Sequence, residues 1–342
     1  MNLAGKTVLV TGAGGFIGSH LVEALLAEGA RIRALIKYNS RNDWGNLEGV
    51  LAAHGPEAAG RVEILLGDIT DPFFVRNAVA GCHTVFHLAA LIGIPYSYIG
   101  PQHYVSVNVQ GTLNVLEACR QEGVAMLVHT STSETYGTAR YTPIDEEHPM
   151  QGQSPYSASK IAADKMAESY FLSFGVPVAT IRPFNTFGPR QSTRAIIPTI
   201  ITQALRYKEA PKASREPIRL GSLDPVRDFT YVKDTARGFV QIAQCGQAIG
   251  QVVNVGAGQA QSVGDTLTMI LNLLDIPDAA VETDAQRVRP EKSEVQVLLA
   301  STAKAQNLFN FQPQFSFQQG LEETIDAIRA SLHSYKVGLY TV

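Results

Sequence analysis

The chain has 342 residues, of which 45% are hydrophobic and 17% charged, and 28 Lys and Arg against 31 Asp and Glu give a net charge of −3. The length fits one large domain or two interlocked ones, and the composition excludes disorder for the bulk of the chain. Charges of both signs are scattered without a basic run, which argues against binding to nucleic acid or to an anionic membrane.

The first predicted elements are a strand, a glycine turn and a helix. Residues 6–11 (KTVLVT) form a nearly continuous apolar run, and residues 16–28 change to helical spacing until Gly29. Further buried strands are predicted at 31–36, 62–66, 84–88, 125–130 and 176–181. Unbroken runs of Val, Ile and Leu are typical of parallel strands that helices cover on both faces. The alternation predicts an α/β fold with a Rossmann-type, doubly wound parallel sheet.

Several helix boundaries can also be predicted. Asp71 followed by Pro72 indicates a helix start, because the aspartate can accept from free amides and the proline lacks an amide that would need a partner. A longer helix is predicted over 102–121, with Gly123 beyond its end. An amphipathic helix is predicted over 320–335.

The chain is predicted to form two interwoven domains. After residue 182 the alternation of strand and helix patterns weakens, and loops become richer in proline and polar residues. We assign residues 1–181 to the sheet domain and expect 228–255 to return to it. Residues 182–227 and 256–342 are expected to form a smaller α/β domain for substrate binding.

The turn after the first strand carries three glycines, Gly12, Gly15 and Gly18, in TGAGGFIG. Glycines at such a turn permit a tight bend, let the backbone approach a pyrophosphate and let the helix pack closely on the strand. The spacing is a variant of the known dinucleotide fingerprint. It predicts a dinucleotide site at the turn, including Phe16 and Ile17 at the helix start.

The end of the second strand bears on the choice of dinucleotide. An NAD-selective site usually has an acidic residue there, whereas this chain has Lys37, Ser40 and Arg41. A cation and hydroxyls suit a 2′-phosphate, so these residues favour NADP over NAD. The alternative is that Lys37 and Arg41 are solvated loop charges. Asp68, after the third strand, is placed either to accept from the adenine amino group or to cap a helix.

A tyrosine and a lysine form the candidate catalytic pair. Tyr156 and Lys160, in SPYSASK, lie four residues apart where a helix begins after Pro155, so both side chains share one helix face. A nearby ammonium favours phenolate, and we expect it to lower the tyrosine pKa so that the phenolate can take a proton from an alcohol that loses hydride. The preceding strand ends in TSTSE at 130–134, at the sheet edge where such folds bind ligands.

Five ordered motifs together resemble the extended short-chain dehydrogenase/reductase family, which contains the NAD-dependent epimerases and dehydratases. They are TGAGGFIG, HLAA at 87–90, STSETYG at 131–137, YSASK at 156–160 and RPFNTFGPRQ at 182–191. The resemblance covers nearly the whole chain. It implies that the chain is an enzyme that binds a nicotinamide dinucleotide and a nucleotide sugar.

The resemblance also implies roles for individual residues. Tyr156 would be the base on the 4-hydroxyl, Lys160 would hold the nicotinamide ribose, and Thr132 would bind the sugar oxygen. Asn108 would support this arrangement. Further cofactor-binding positions would be Ile69, Leu88, Ala89 and Ala90.

The motif Thr132-Ser133-Glu134 bears on the subclass. A 4-epimerase needs only the hydroxyl, the tyrosine and the lysine, whereas a 4,6-dehydratase also needs a carboxylate to take the C5 proton and assist departure of the 6-hydroxyl. Glu134 supplies that carboxylate, and Thr-Ser-Glu resembles the guanosine-mannose type of dehydratase. Whether Ser133 or Glu134 handles the leaving water stays open.

Within the family, the chain resembles most the LegB-type dehydratases of nucleotide-activated N-acetylglucosamine in bacterial nonulosonate pathways. The segments that carry this resemblance are 36–48, 145–160, 184–201 and 289–294. The implied reaction converts GDP- or UDP-N-acetylglucosamine to the 4-keto-6-deoxy sugar by C4 oxidation, loss of water across C5 and C6, and hydride return to C6. The cofactor would stay tightly bound and be regenerated in each turnover.

Substrate binding and assembly are also predicted. Ser133, Asn185, Arg227 and Arg289 are candidates for substrate contacts, and guanidinium groups suit a diphosphate. The eight histidines show no ligand spacing, so no metal is expected. The family resemblance implies a homodimer in which the helices at 102–121 and 155–174 of two copies form a four-helix bundle.

The cysteines and the hydropathy suggest a location. Cys82, Cys119 and Cys245 are far apart, with neither zinc-site spacing nor the density of a disulfide scaffold. No run approaches the roughly 18 apolar residues that span a bilayer, and the first residues lead into a strand rather than a signal sequence. We therefore expect a cytosolic protein.

Three alternatives remain open at this point. A UDP-glucuronate decarboxylase shares the Thr-Ser-Glu motif, and a 4-epimerase shares the fold and the catalytic pair. A non-catalytic dinucleotide-binding sensor would keep the glycine turn but would have no reason to keep Thr132, Glu134, Tyr156 and Lys160 together.

Overall fold

The structure is a computed structural model that describes residues 1–288 and 290–337 of the chain. In chain order its strands are β1 (Thr7–Thr11), β2 (Arg31–Lys37), β3 (Val62–Gly67), β4 (Thr84–His87), β5 (Met126–Thr130), β6 (Val178–Pro183), β7 (Asn185–Phe187), β8 (Ile218–Leu220), β9 (Val226–Tyr231), β10 (Val252–Val255), β11 (Ala260–Ser262), β12 (Val281–Thr283) and β13 (Val297–Leu298). Its α-helices are α1 (Phe16–Ala27), α2 (Leu47–Ala59), α3 (Pro72–Val79), α4 (Ile94–Ile99), α5 (Pro101–Tyr104), α6 (Gly111–Glu122), α7 (Pro155–Phe174), α8 (Ile196–Glu209), α9 (Val232–Gln244), α10 (Val263–Leu273), α11 (Ala303–Phe309) and α12 (Phe317–Ala330).

The larger sheet has seven strands in the order β10-β6-β5-β4-β1-β2-β3. Every neighbouring pair is parallel. Apolar side chains of α1, α2 and α9 cover one face of this sheet, and those of α3, α6 and α7 cover the other. Strands buried on both sides need no polar alternation, which explains the unbroken apolar runs. The predicted α/β fold with a doubly wound parallel sheet is confirmed.

A second set of strands is organised around β9. Strand β9 pairs with β7, β11 and β13, and α8, α10 and α12 pack their apolar faces against this region. The segment 228–255 divides between the two sheets, because β9 belongs to the smaller one and β10 to the edge of the larger one. Between them, α9 packs against α1 and against β5 and β6. The predicted domain boundaries themselves stay a prediction.

The predicted helix over 102–121 is present but irregular. It consists of α5, a π-helical segment (Val105–Gln110) and α6, and Gly123 ends it in the left-handed conformation. A π-helical turn widens the backbone, so it changes the direction of side chains that follow. The turn contains Asn108, one of the predicted cofactor residues.

The last helix differs from its predicted range. It begins three residues earlier, because Ser316 and Gln319 form a reciprocal capping box, and it ends at Ala330. The predicted helix start after Asp71 is confirmed, since its carboxylate accepts from the amides of Phe73 and Phe74. Across the described residues, the structure contains no helix with the length and apolar character that a bilayer crossing needs.

The glycine at position 18 offers a test of the close packing between strand and helix. A Cβ on Gly18 would overlap the Gly12 carbonyl oxygen, which belongs to rigid backbone. Gly18→Ala is therefore expected to lower the free energy of unfolding by about 1–3 kcal/mol in urea denaturation. Gly49→Ala is the matched control, because Gly49 is an exposed helical position where a Cβ meets nothing within 4 Å.

The control is expected to raise stability by up to about 1 kcal/mol, since alanine restricts the unfolded chain more than glycine does. Equal unfolding free energies for the two variants would contradict the packing argument.

Candidate active site

The carboxyl ends of β1 and β4 are tied together by one threonine. Thr11 Oγ1 accepts from the amides of Leu88 at 3.1 Å and Ala89 at 3.0 Å, and it lies 2.9 Å from His87 Nδ1. Burial lowers the pKa of His87 far below 6.5, so this histidine is neutral. The loop that starts at Leu88 is therefore held directly beside the glycine turn.

The glycine turn has the shape that a dinucleotide pyrophosphate needs. Gly12 has a φ of +74°, and a Cβ there would lie 3.0 Å from the Ala89 amide nitrogen. No side chain caps the first turn of α1, which begins with Phe16 and Ile17 after Gly15. The amides in the first turn of α1 and the helix dipole are thus available to a phosphate. The residues present fit a nicotinamide dinucleotide.

The loop between β2 and α2 lies over this turn, a contact that the sequence patterns did not predict. The Gly14 carbonyl accepts from the Asn46 amide at 3.0 Å, and a Cβ on Gly14 would lie 2.6 Å from the Trp44 carbonyl oxygen. The indole Nε1 of Trp44 is buried and has no hydrogen-bond partner among the described residues. The sequence located this loop after the second strand but contained no indication of its contact with the glycine turn.

Of the predicted NADP residues, Lys37 is the last residue of β2, and Ser40 and Arg41 lie in the loop that follows it. Lys37, Ser40 and Arg41 are all exposed. The Asn39 side chain closes this loop, because its Oδ1 accepts from the amides of Arg41 at 3.2 Å and Asp43 at 2.9 Å. The strand end and the loop thus present their cations outward.

The structure settles the local environment of Asp68. Its Oδ1 accepts from the amide and the hydroxyl of Thr70, both at 2.9 Å. Burial alone would raise the Asp68 pKa, but these hydrogen bonds and the charge of Lys37 outweigh it, so the pKa is lowered. The following helix is capped by Asp71, not by Asp68. The next residue, Ile69, is buried and accepts at its carbonyl from Asn114 Nδ2.

The catalytic pair is buried at the beginning of α7. A capping box of Ser154 and Ser157 begins the helix, and Tyr156 and Lys160 are 7% and 5% exposed. Lys160 Nζ donates to the Thr130 carbonyl at 2.7 Å, at the end of β5. The helix start therefore places both side chains beside the end of β5.

The expectation that Lys160 lowers the Tyr156 pKa is wrong for the groups that this structure contains. Burial raises the pKa of Tyr156 well above 10.0, a hydrogen bond with Thr132 opposes the rise, and the charge of Glu134 adds to it. Lys160 directs its ammonium to the Thr130 carbonyl instead. Desolvation of the phenolate outweighs the attraction that the spacing suggested.

The residues after β5 come together with Tyr156. Thr132 Oγ1 accepts from the Glu134 amide at 3.3 Å and caps a single 3₁₀ turn (Ser133–Tyr136). Ser133 is buried and Glu134 is half-buried. Because Thr132 bonds to Tyr156 and the Glu134 charge acts on it, a hydroxyl, a carboxylate and a phenol lie close together.

Asn108 connects the loop after β4 to the catalytic helix α7. Its Oδ1 accepts from the Leu91 amide at 2.8 Å, and its Nδ2 donates to the Leu91 carbonyl at 3.0 Å and to Ser159 Oγ at 2.9 Å. Ser159 precedes Lys160, so Asn108 joins the loop after β4 to the catalytic helix. Ala90 lies in that loop, half-buried.

The candidate substrate residues lie on the smaller sheet. Asn185 opens β7, and its Oδ1 is buried without a partner among the described residues. Arg227 lies on β9, where it donates to Glu294 at 2.9 Å and to the Val226 carbonyl at 3.0 Å. Arg289 lies outside the described residues. No contact joins Asn185 or Arg227 to the catalytic pair among the described hydrogen bonds and ion pairs.

A strap over residues 292–294 reaches across to the loop before α7, and sequence reasoning missed it. Ser293 Oγ donates to the Gln153 carbonyl at 2.8 Å and lies 2.6 Å from Tyr98 Oη, while Gln153 Nε2 donates to the Lys292 carbonyl at 3.0 Å. These contacts join residues that are far apart in the chain, so no short sequence pattern indicates them. Among the described residues, no three His, Cys, Asp or Glu side chains are grouped to hold a metal.

Comparisons with known proteins agree with this geometry. A family model described as GDP-mannose 4,6 dehydratase matches residues 9–324. The chain is 32% identical to dTDP-glucose 4,6-dehydratase of Streptomyces antibioticus over 94% of this chain and 92% of that protein. It is 31% identical to UDP-glucose 4-epimerase of Mycolicibacterium smegmatis over 94% and 98%.

Solved structures give the same two classes. The structure of DesIV, a dTDP-glucose 4,6-dehydratase from Streptomyces venezuelae with NAD and TYD bound, matches with a TM-score of 0.83 at 28% identity, over 96% of this chain and 99% of that one. UDP-glucuronic acid 4-epimerase from Bacillus cereus, in complex with UDP-glucuronic acid and NAD, matches with a TM-score of 0.83 at 28% identity, over 95% and 99%.

Proposed function

We propose that this chain, which belongs to the GDP-mannose 4,6 dehydratase family, is a nucleotide-sugar 4,6-dehydratase. The observation that carries the proposal is the half-buried Glu134 carboxylate, which lies on the short turn that Thr132 caps and whose charge raises the Tyr156 pKa. A 4-epimerase needs the hydroxyl, the tyrosine and the lysine, whereas a dehydratase also needs a carboxylate for the C5 proton. Relatives of both classes match the chain, so the choice between the two activities rests on Glu134.

The proposed chemistry uses four side chains of this chain. Tyr156 takes the proton of the C4 hydroxyl in its phenolate form, which the Thr132 hydroxyl favours, and Lys160 holds the nicotinamide ribose. The bound dinucleotide supplies hydride acceptance at C4 and hydride return at C6. Glu134 takes the C5 proton, which the C4 ketone acidifies, and gives a proton to the departing 6-hydroxyl. When hydride returns to C6, C5 takes up a proton, which balances the proton that Tyr156 removed from the C4 hydroxyl. The reaction is redox neutral, and one water leaves.

We assign both proton transfers of the elimination to Glu134. Ser133 is 2% exposed, whereas Glu134 is half-buried and acts electrostatically on the base. A carboxylate can accept and then donate a proton, which a serine hydroxyl does much less readily. Ser133 is left with a substrate contact.

The proposed cofactor is NADP, held at the glycine turn formed by Gly12, Gly15 and Gly18. The end of β2 and the loop after it support the preference for NADP over NAD, because Lys37, Ser40 and Arg41 are exposed there. The mass of the dinucleotide released on denaturing the purified protein tests it, and release of NAD alone would remove the preference.

The proposed substrate is GDP- or UDP-N-acetylglucosamine, and this choice rests on the resemblance to LegB-type dehydratases. Asn185 and Arg227 are the proposed contacts in the described structure, together with Arg289. Because Arg227 is paired with Glu294, a diphosphate would have to compete with that carboxylate for the guanidinium.

Mass spectrometry of the product tests the proposed function. The protein is incubated with GDP-N-acetylglucosamine, UDP-N-acetylglucosamine and UDP-glucuronate in separate reactions. Loss of one water from an N-acetylglucosamine nucleotide is expected. An unchanged mass with an altered sugar configuration would support the 4-epimerase. Loss of carbon dioxide would support the decarboxylase, and binding without turnover would support the sensor.

A homodimer and a cytosolic location stay predictions. Exposed apolar side chains on the two predicted interface helices support the dimer, since Val105, Leu172 and Phe174 are 57%, 72% and 59% exposed. Light scattering of the purified chain measures its assembly, and a monomer at micromolar concentration would remove the proposed four-helix bundle.

A further inference from the structure

The strap (residues 292–294) joins the smaller sheet to the loop before the catalytic helix. On one side, Glu294 is paired at 2.9 Å with Arg227 on β9. On the other side, Ser293 Oγ donates to the Gln153 carbonyl at 2.8 Å and lies 2.6 Å from Tyr98 Oη. Two adjacent residues of the strap thus reach elements that carry different parts of the candidate site.

Gln153 connects the strap to the segments that carry the catalytic side chains. Its Nε2 donates to the Lys292 carbonyl at 3.0 Å, and its Oε1 accepts from Thr138 Oγ1 at 3.1 Å. Gln153 directly precedes Ser154, which caps α7, and Thr138 follows the short turn that contains Glu134. The strap, the start of α7 and the segment after the Glu134 turn therefore share one side chain.

Tyr98 connects the strap to the cluster that contains Tyr156. It lies on α4, which packs against α7. From the same helix, Ile94 belongs to a buried apolar cluster with Tyr104 and Tyr156. Tyr98 itself is 39% exposed. The contact between Tyr98 and Ser293 is therefore partly open to solvent, although it belongs to the helix that covers the proposed base.

A nucleotide sugar would extend between the same two regions that the strap joins. Arg227 is a proposed contact of the substrate diphosphate, and Tyr156 is the proposed base on the sugar ring. A substrate that engages both residues must lie between β9 and the start of α7, beside the strap. This step, and the inference built on it, rests on the proposed function.

The strap is held by polar contacts, whereas the residue that follows it is packed among apolar side chains. Val295 is 1% exposed and lies in one cluster with Tyr136 and Phe184. Lys292 is exposed and Ser293 is half-buried. Hydrogen bonds that water can replace contribute little net stability, so the strap can open while Val295 stays in place.

We propose that Ser293 and Gln153 are positioning residues, which hold the strap closed beside the bound nucleotide sugar and keep the 4-keto intermediate in the site until hydride returns. Oxidation at C4 transfers a hydride from the sugar to the bound dinucleotide and a proton to Tyr156. If the 4-keto sugar left at that stage, the dinucleotide would stay reduced, and that enzyme molecule could not begin another oxidation. The redox-neutral cycle therefore requires the intermediate to be retained.

The experiment compares Ser293→Ala with the wild type in two measurements. Stopped-flow displacement gives the dissociation rate of bound UDP or GDP, which we expect to rise roughly threefold to tenfold, because the contacts with Gln153 and Tyr98 are lost. During turnover of an accepted nucleotide sugar, we expect released 4-keto sugar that lacks the hydride at C6, a rising fraction of reduced dinucleotide and declining activity. Tyr98→Phe removes one of the two contacts, so its effects should be smaller.

Two control variants match these substitutions. Ser331→Ala removes a half-buried hydroxyl that donates to the Ala327 carbonyl at 2.9 Å, at the end of α12. Tyr141→Phe removes the hydroxyl of a tyrosine that is 44% exposed and donates to Asp145 at 2.7 Å. Both controls should release UDP or GDP at the wild-type rate and complete each turnover with oxidised dinucleotide.

Wild-type nucleotide release in Ser293→Ala, or a lowered kcat without released 4-keto sugar, would overturn the inference. If Ser293→Ala does not fold, Tyr98→Phe decides by the same two measurements, and wild-type values for it overturn the inference. A wild-type chain that removes no water from any nucleotide sugar contradicts the proposed function itself, whereas water loss with unchanged release in the variants contradicts only the role of the strap.

Discussion

Tyr156→Phe is expected to lower kcat by roughly 10³-fold, in the range that a positioned acid or base contributes. The substitution removes only the hydroxyl, so the ring keeps its edge contact with Tyr104, at a centroid distance of 6.2 Å. Fold and cofactor content should be unchanged, because Tyr156 is held by the capped start of α7. The measurement is single-turnover reduction of the bound dinucleotide, followed by its absorbance.

Tyr104→Phe is the matched control for this experiment. Tyr104 is 1% exposed and is a neighbour of Tyr156, but its hydroxyl donates to the Gly93 carbonyl at 2.5 Å and has no assigned part in the proton transfer. It is expected to cost less than about tenfold in kcat, because one neutral hydrogen bond is lost. Wild-type turnover in Tyr156→Phe would remove the assignment of the base.

Because the Tyr156 pKa is raised, the reaction requires the phenolate to form against the effect of burial. Burial, Glu134 and Asp164 all disfavour the phenolate, and Thr132 is the group that favours it. The spacing of Tyr156 and Lys160 predicted their shared helix face correctly but could not weigh the cost of desolvation. That cost depends on how completely α7 is covered, which only the packed structure shows.

Local signals predicted the larger sheet well. The glycine turn, Asp71 and Gly123 act through their own backbone and nearest neighbours, so their effects can be recognised in short windows of sequence. The π-helical segment is different, because it contains Asn108, whose hydrogen-bond partners Leu91 and Ser159 lie outside any short window of sequence around it. Helical periodicity alone predicted one continuous helix there.

The candidate site was predictable where its residues are neighbours in the sequence. Thr132 and Glu134 share one short turn, so their proximity follows from sequence. The pairing of Arg227 with Glu294 spans 67 residues, and nothing near Arg227 indicates it. Arg182 was quoted only as part of a motif, yet its guanidinium is the partner of Asp164. Ion pairs between distant segments are decided by the fold.

Glu134→Gln separates the oxidation from the elimination. The amide keeps the shape of the carboxylate but cannot take the C5 proton, so dehydration is expected to slow by roughly 10²–10⁴-fold. C4 oxidation should persist, because Thr132, Tyr156 and Lys160 are intact. Reduced dinucleotide and a 4-keto sugar that still carries its 6-hydroxyl are therefore expected to accumulate on the enzyme.

The measurement combines the mass of the enzyme-bound sugar with the exchange of its C5 hydrogen in deuterated water. Glu147→Gln is the control, since Glu147 is an exposed glutamate in the loop before α7. It should dehydrate and exchange like the wild type. The proposed dehydratase and the epimerase differ by one carboxylate. If Glu134→Gln dehydrates the substrate at the wild-type rate, another group must take the C5 proton. A wild-type enzyme that changes the sugar configuration without exchanging C5 would instead make this chain an epimerase.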